Sequence, residues 1–128
     1  MPDEQRIRVV YVEDDPFFSE TVNRNLTAAG FPTAIAKSGD AALELIKTEK
    51  PELVLLDVIL PKMDGKEVLR RLKADPKTKH IPVIVLSNLS AEENSAEFRA
   101  LGAAEFMVKA MALPETIVEK VKAHLSAA

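Results

Sequence analysis

The chain has no cysteine and no tryptophan. Without thiols there is neither a disulfide framework nor a thiolate metal site, and the composition fits a reducing compartment. Glycine occurs only 4 times, at positions 30, 39, 65 and 102, always isolated. No Gly-x-Gly-x-x-Gly turn and no P-loop can be built from them, which removes the usual nucleotide and dinucleotide cradles. No apolar run approaches the roughly 18 residues of a membrane span. The opening Met1-Pro2-Asp3-Glu4-Gln5-Arg6 lacks the basic-then-apolar layout of a signal peptide. A net charge of −3 gives no basic field for nucleic acid. What remains is a 128-residue chain, long enough for one domain spanning 1–128, with a soluble, cytoplasmic protein expected. A domain of this size buries roughly two-thirds of the surface its unfolded chain exposes.

What the chain does have is alternation. Short apolar runs rich in Val, Ile and Leu alternate with amphipathic stretches, the signature of repeated βαβ units. The strands fall at about Arg6 to Val12, Thr33 to Ala36, Leu53 to Leu56, Val83 to Leu86 and Glu105 to Val108. Leu53-Val54-Leu55-Leu56 is apolar on successive residues, as in a parallel strand covered on both faces. Asp15 caps the first helix, Pro16 opens it, and Phe18, Val22 and Leu26 repeat on one face until Gly30 ends it. Ser38 caps a second helix, stopped by Pro51, and the third runs from about Lys66 to Ala74. Ser90-Ala91-Glu92-Glu93 is a capping box for a fourth helix, closed by Gly102, and Pro114 opens a fifth. The pattern predicts an α/β protein: a three-layer (βα)5 sandwich around a five-stranded parallel sheet with right-handed crossovers.

Four of these strands end in polar, reactive residues: Glu13-Asp14-Asp15, Asp57, Ser87 and Lys109. Carboxyl ends of parallel strands line the ligand crevice of such a sheet. Carboxylates gathered there repel one another unless a proton or a cation relieves them. Hard oxygen donors select Mg2+ or Mn2+, and Mg2+ commonly bridges carboxylates to phosphate oxygens. Lys109 offers a point positive charge and Ser87 a hydroxyl donor to a phosphoryl group, and an aspartate can itself become an acyl phosphate. The plain alternative is that such carboxylates are only helix caps, and that is the expected role of Asp15.

Val12-Glu13-Asp14-Asp15-Pro16, the run from Leu55 to Gly65 with its Pro61-Lys62-Met63-Asp64-Gly65 tail, Val85-Leu86-Ser87 and Val108-Lys109 together resemble the receiver domain of response regulators. The resemblance implies the flavodoxin-like strand order 2-1-3-4-5. It implies Asp57 as phosphoacceptor, with Glu13, Asp14, Asp57 and the Ile59 backbone carbonyl around Mg2+. It implies Lys109 as partner of the phosphoryl group, and Ser87 and Phe106 as the switch pair. A sensor histidine kinase or histidine phosphotransfer protein would supply phosphate. A target protein would read the state on the face of the fourth helix, fifth strand and fifth helix, a surface that could also dimerise and here includes Glu92, Glu93, Phe98, Phe106, Met111 and Lys120. The chain would thus be a signalling phosphoacceptor rather than an enzyme, with no output domain, binding neither nucleic acid nor membrane. The alternative is a receiver-fold scaffold that acts without phosphorylation.

Three positions depart from the common receiver pattern. Ala110 stands where a proline in a cis peptide is usual, and a cis bond before a non-proline residue costs about 3 kcal/mol, so a trans Lys109-Ala110 peptide is expected. Phe106 lacks the hydroxyl of the frequent tyrosine, and Asn88 is larger than the usual Ala or Gly. Ile59 and Leu89, which flank the access route for hydrolytic water in this family, are apolar, so slow self-dephosphorylation is expected. His80 and His124 read as a solvated loop residue and a helix-end cation. Arg70, Arg71, Lys73, Lys77 and Lys79 read as a solvated basic face, since no aromatics interleave. Phe17 and Phe18 read as packing, with Phe17 free to be exposed to a partner.

Overall fold

The computed structural model describes residues 6–60, 63–88 and 91–125. Leu89, Ser90 and the side chains of Glu92 and Glu93 lie outside that description, as do Pro61 and Lys62. Within it, β1 (Val9–Val12), β2 (Thr33–Ala36), β3 (Leu53–Asp57), β4 (Val83–Ser87) and β5 (Glu105–Val108) pair in parallel in the order β2-β1-β3-β4-β5. They alternate with α1 (Pro16–Ala28), α2 (Gly39–Glu49), α3 (Gly65–Ala74), α4 (Ala91–Ala100) and α5 (Pro114–Leu125). The expected (βα)5 sandwich and its strand order are both observed. β1 is shorter than its sequence pattern, beginning at Val9 rather than Arg6, because Arg8 hands its carbonyl to the amides of Glu52 and Leu53 outside the regular ladder.

Side chains on a strand alternate between faces, and that sorts the core into two layers. Val10, Val12, Val54, Leu56, Val83 and Val85 pack with Ala42 and Ile46 of α2, Val68, Leu69 and Leu72 of α3, and Phe98 of α4. Val9, Tyr11, Leu53, Leu55, Ile84 and Leu86 pack with Val22 and Leu26 of α1 and with Ile117, Val118, Val121 and Leu125 of α5. β1, β3 and β4 are buried along their whole length, as the unbroken apolar runs require.

The helix starts follow local chemistry. Asp15 accepts a hydrogen bond from the Phe17 amide at 2.9 Å, with Pro16 at the first helical position. Ser38 accepts from Ala41, and Asp64 from Glu67 at 3.0 Å. Each satisfies one amide that the first helical turn leaves open. Two surface expectations need correction. Phe98 is fully buried beneath the α4-β5-α5 face, and Phe106 is buried too, their ring centroids 5.5 Å apart. Lys73 is no free surface cation: its ammonium donates to the carbonyls of Lys79 and Ile81 at 3.0 and 2.7 Å, and burial lowers its pKa. His80 is exposed, as expected, and His124 lies 3.5 Å from Glu105.

Candidate functional site

The strand register decides which polar ends meet. Glu13 continues the face of Val9 and Tyr11, Asp57 continues that of Leu53 and Leu55, and Lys109 follows Met107 on the same side. All three therefore emerge on the α1/α5 side, at the carboxyl edge of neighbouring strands β1, β3 and β5 around β4. Ser87 follows Val83 and Val85, and pairs in register with Val108, so it falls on the other face, with Phe106. The structure thus brings Glu13, Asp57 and Lys109 into direct contact and sets Ser87 and Phe106 behind them.

Lys109 is the hub. Its ammonium sits 2.7 Å from Glu13 Oε1 and 3.0 Å from Asp57 Oδ2, and lies 4.5 Å above the centre of the Phe18 ring. Phe18 thus does more than pack: its face adds a cation–π contact to a largely desolvated ammonium. Asp57 Oδ1 accepts the Ile59 amide at 3.2 Å, which fixes the carboxylate in its turn. Glu13 has zero exposure and takes donors on both oxygens: Lys109 and the Tyr11 hydroxyl (2.8 Å) on Oε1, the Asp15 amide (3.2 Å) on Oε2. Asp14, in contrast, is exposed at the rim. The Lys109–Ala110 peptide is trans, as expected, and a short 3-10 turn over Lys109–Met111, unforeseen in the sequence, carries the chain on to α5.

The electrostatics follow from this crowding. Burial pushes the Glu13 carboxyl up, and the Asp57 charge adds to that, while the hydrogen bonds from Lys109, Tyr11 and Asp15 pull it down without cancelling the rise. For Lys109 burial acts downward, yet the hydrogen bonds and charges of Glu13 and Asp57 outweigh it and the ammonium titrates above its ordinary value. The Tyr11 phenol is pushed far up, first by burial and then by the Glu13 charge beside it.

Glu13, Asp14 and Asp57 each offer a carboxylate oxygen, and these oxygens lie within 4.8 Å of one another. Three hard oxygen donors at that spacing fit a Mg2+ or Mn2+ ion, which completes its shell with water and other oxygens. Backbone packing holds the segment after Asp57 in shape. The Gly65 amide donates to the Val58 carbonyl at 2.8 Å, and a Cβ at position 65 would stand 2.4 Å from Val58 Cα. That close approach explains why the motif after Asp57 ends in glycine. A larger cleft of about 1020 Å3 opens at the opposite pole, where His80 and His124 lie, but among its lining residues no carboxylate cluster forms.

Sequence reasoning missed Tyr11. Its spacing of two from Glu13 on one strand was the available signal, because such residues share a face.

Residues 9–122 match the family of response regulator receiver domains. The chain is 31% identical over 117 residues to the polar-differentiation response regulator DivK of Brucella ovis, covering 91% of this chain and 94% of that protein. It is 34% identical over 125 residues to a probable cyclic di-GMP phosphodiesterase of Vibrio cholerae, covering 98% of this chain but only 28% of that one. It likewise spans only 14% of the gliding motility regulatory protein of Myxococcus xanthus and 52% of the regulator PhoB of Rhizobium meliloti. Among solved structures, the BeF3-activated receiver domain of Klebsiella pneumoniae RstA superposes with a TM-score of 0.83 at 30% identity, covering 92% of this chain and 97% of that one. Chemotaxis response regulator CheY4 of Vibrio cholerae gives 0.85 at 27% identity, covering 93% and 98%. With nearly all of its length matched and its strand order, acidic turn and buried lysine in place, the chain belongs to the response regulator receiver domains.

Proposed function

We propose that the chain is the phosphoacceptor of a two-component phosphorelay, with Asp57 as the acceptor. The observation that carries this reading is the contact of the Lys109 ammonium, 3.0 Å from Asp57 Oδ2, within an acidic cluster spaced for a divalent cation. An Asp57 oxygen bonds to phosphorus as the phosphorus–nitrogen bond of a donor phosphohistidine breaks, and the electron pair leaves with the imidazole. Glu13, Asp14, Asp57 and the Ile59 carbonyl would hold the Mg2+ or Mn2+, Glu13 directly or through water. A bound cation supplies charge neutralisation to the carboxylates and the incoming phosphoryl oxygens. Lys109, already aimed at Asp57, takes a phosphoryl oxygen as its partner.

Phosphorylation adds charge at one strand end, and the two-state element that reads it is the Ser87 and Phe106 pair on the far face. Ser87 moves its hydroxyl toward the phosphoryl group, and Phe106, now packed on Phe98, responds. The donor is a sensor histidine kinase or a histidine phosphotransfer protein, and the target protein reads the α4-β5-α5 face, where Met111 is 81% exposed and Lys120 pairs with Glu105 at 3.4 Å. A homodimer through that face is a further form of output. The reading includes a cytoplasmic location and a single receiver unit over 1–128, signalling rather than turning over substrate. No helix among the described residues is long and apolar enough to cross a membrane.

The test is intact mass after incubation with Mg2+ and acetyl phosphate or phosphoramidate, beside Asp57→Asn. One Mg2+-dependent phosphoryl group, absent from the variant, establishes the chemistry. No adduct on a folded chain with either donor moves the reading to a scaffold that works unphosphorylated.

A further inference from the structure

Glu13 Oε1 is shared by two donors of different kinds. The Lys109 ammonium at 2.7 Å is on a long stem from another strand, and is itself shared with Asp57. The Tyr11 hydroxyl at 2.8 Å is on the same strand as Glu13, two residues back, and the residue is 1% exposed. The phenol ring lies in the α1/α5 layer with Val22, Leu86 and Ile117. A phenylalanine would fill that place without bringing a hydroxyl that needs a partner.

We propose that Tyr11 is a positioning residue that holds the Glu13 carboxylate and keeps its Oε1 satisfied when Lys109 leaves for a phosphoryl oxygen on Asp57. The proposal rests on the phosphoacceptor reading of Asp57. The step it describes is a hydrogen-bond exchange and moves no proton between residues. In the unphosphorylated chain the ammonium is divided between two carboxylates. Once Asp57 carries a phosphoryl group, the strongest acceptor for that ammonium is a phosphoryl oxygen. Without the Tyr11 hydroxyl, departure of Lys109 would leave a fully buried carboxylate oxygen with no donor, and an unsatisfied buried charge is costly. Tyr11 removes that cost because it cannot follow Lys109: its ring is packed and its hydroxyl reaches Glu13 along one strand. It also pins Glu13 in one rotamer, so that Oε2, which among the described residues accepts only the Asp15 amide at 3.2 Å, is the oxygen left for a cation or its water.

Tyr11 is the only tyrosine and the chain has no tryptophan, so tyrosine fluorescence and near-ultraviolet absorbance report this one hydroxyl. Two measurements on the whole chain test the proposal. In the wild type, titration with Mg2+ should change the tyrosine signal saturably, and phosphorylation by phosphoramidate should change it again as Lys109 lets go of Glu13. In Tyr11→Phe, shown to be folded by circular dichroism, adduct formation at saturating Mg2+ should slow by about tenfold, the scale of one hydrogen bond to a charged group. The Mg2+ dissociation constant, read by calorimetry, should move by less than about threefold, because Asp14 and Asp57 are untouched. A merely structural tyrosine would lower stability and leave the phosphorylation rate and the phosphorylation-linked tyrosine signal alone. If the wild type forms its adduct while the tyrosine signal stays flat, or Tyr11→Phe matches the wild-type rate, the role of Tyr11 is overturned and the receiver chemistry stands. If the wild type forms no adduct at all, the phosphoacceptor reading fails, and this inference with it. Should Tyr11→Phe not fold, the wild-type tyrosine signal alone decides.

Discussion

Replacing Lys109 by methionine keeps the length and apolar stem of the side chain and deletes only its charge. Two carboxylates are then left facing each other, Glu13 with no exposure and Asp57 buried, where an ammonium had stood 2.7 and 3.0 Å away. Removing one partner of a buried ion pair leaves an uncompensated charge and costs about 3 kcal/mol or more. For a chain of 128 residues that corresponds to a fall in Tm of roughly 10 °C. The cost must depend on pH, and its sign is fixed. Burial already raises the Glu13 carboxyl above its ordinary 4.5, and Lys109 is the strongest influence holding it down, so the variant raises it further. A carboxyl whose folded pKa exceeds its unfolded value binds its proton more tightly in the native state. Stability then falls as pH climbs from the unfolded value toward the folded one. The deficit of Lys109→Met should therefore be smaller at pH 5 than at pH 8.

Urea unfolding followed by far-ultraviolet circular dichroism, at pH 5 and pH 8 with and without Mg2+, reads this directly. Mg2+ should recover part of the deficit at pH 8 by supplying positive charge to the same carboxylates. A variant within about 0.5 kcal/mol of wild type at pH 8 without cation, or a deficit equal at both pH values, would refute the account of Lys109 as the charge that makes the acidic cluster tolerable.

Three further outcomes are expected. Mg2+ at tenfold its dissociation constant should stabilise the wild type to urea by about 1.4 kcal/mol; Asp14→Asn should lose most of that gain at the same concentration, and an unchanged gain would remove Asp14 from the cation site. Gly65→Ala puts a Cβ 2.4 Å from the Val58 Cα, so the loop after Asp57 must shift; unfolding should show a loss of about 1–3 kcal/mol, with slower phosphorylation, and a neutral variant would mean that the loop yields freely. The phosphoryl group should be lost slowly, over minutes or longer, because Ile59, 63% exposed beside Asp57, brings no side-chain polar atom that could orient water; a half-life of seconds in intact-mass measurements contradicts this.

The sheet was legible because its central strands β1, β3 and β4 are buried on both faces, which forces unbroken runs such as Leu53 to Leu56 that no amphipathic helix would carry. The polar end of each run was legible for the same reason: a strand that stays apolar until Asp57 or Lys109 shows where the crevice begins. What the runs could not show is which end residues share a face. That depends on register between strands far apart in sequence, and a shift of one residue reverses every side chain. Ser87 pairs with Val108 rather than Lys109, so the hydroxyl and the ammonium, equivalent in the sequence as strand ends, emerge on opposite sides of the sheet. Phe98 misled for a related reason. The resemblance to receivers placed it on the signalling face of the fourth helix, yet the helix turns that residue inward against Phe106. Lys73 shows the converse, a lysine read as solvated that is held by two carbonyls, because an ammonium on a long stem can reach loop carbonyls that are far from it in the pattern of the helix. Tyr11 was hidden differently, inside an apolar run where an aromatic residue passes as core; only its hydroxyl, aimed at Glu13 two residues on, separates it from a phenylalanine. The residues legible in sequence are thus the ones that could carry the chemistry. The residues that set their charge and orientation become visible only once the strands are in register.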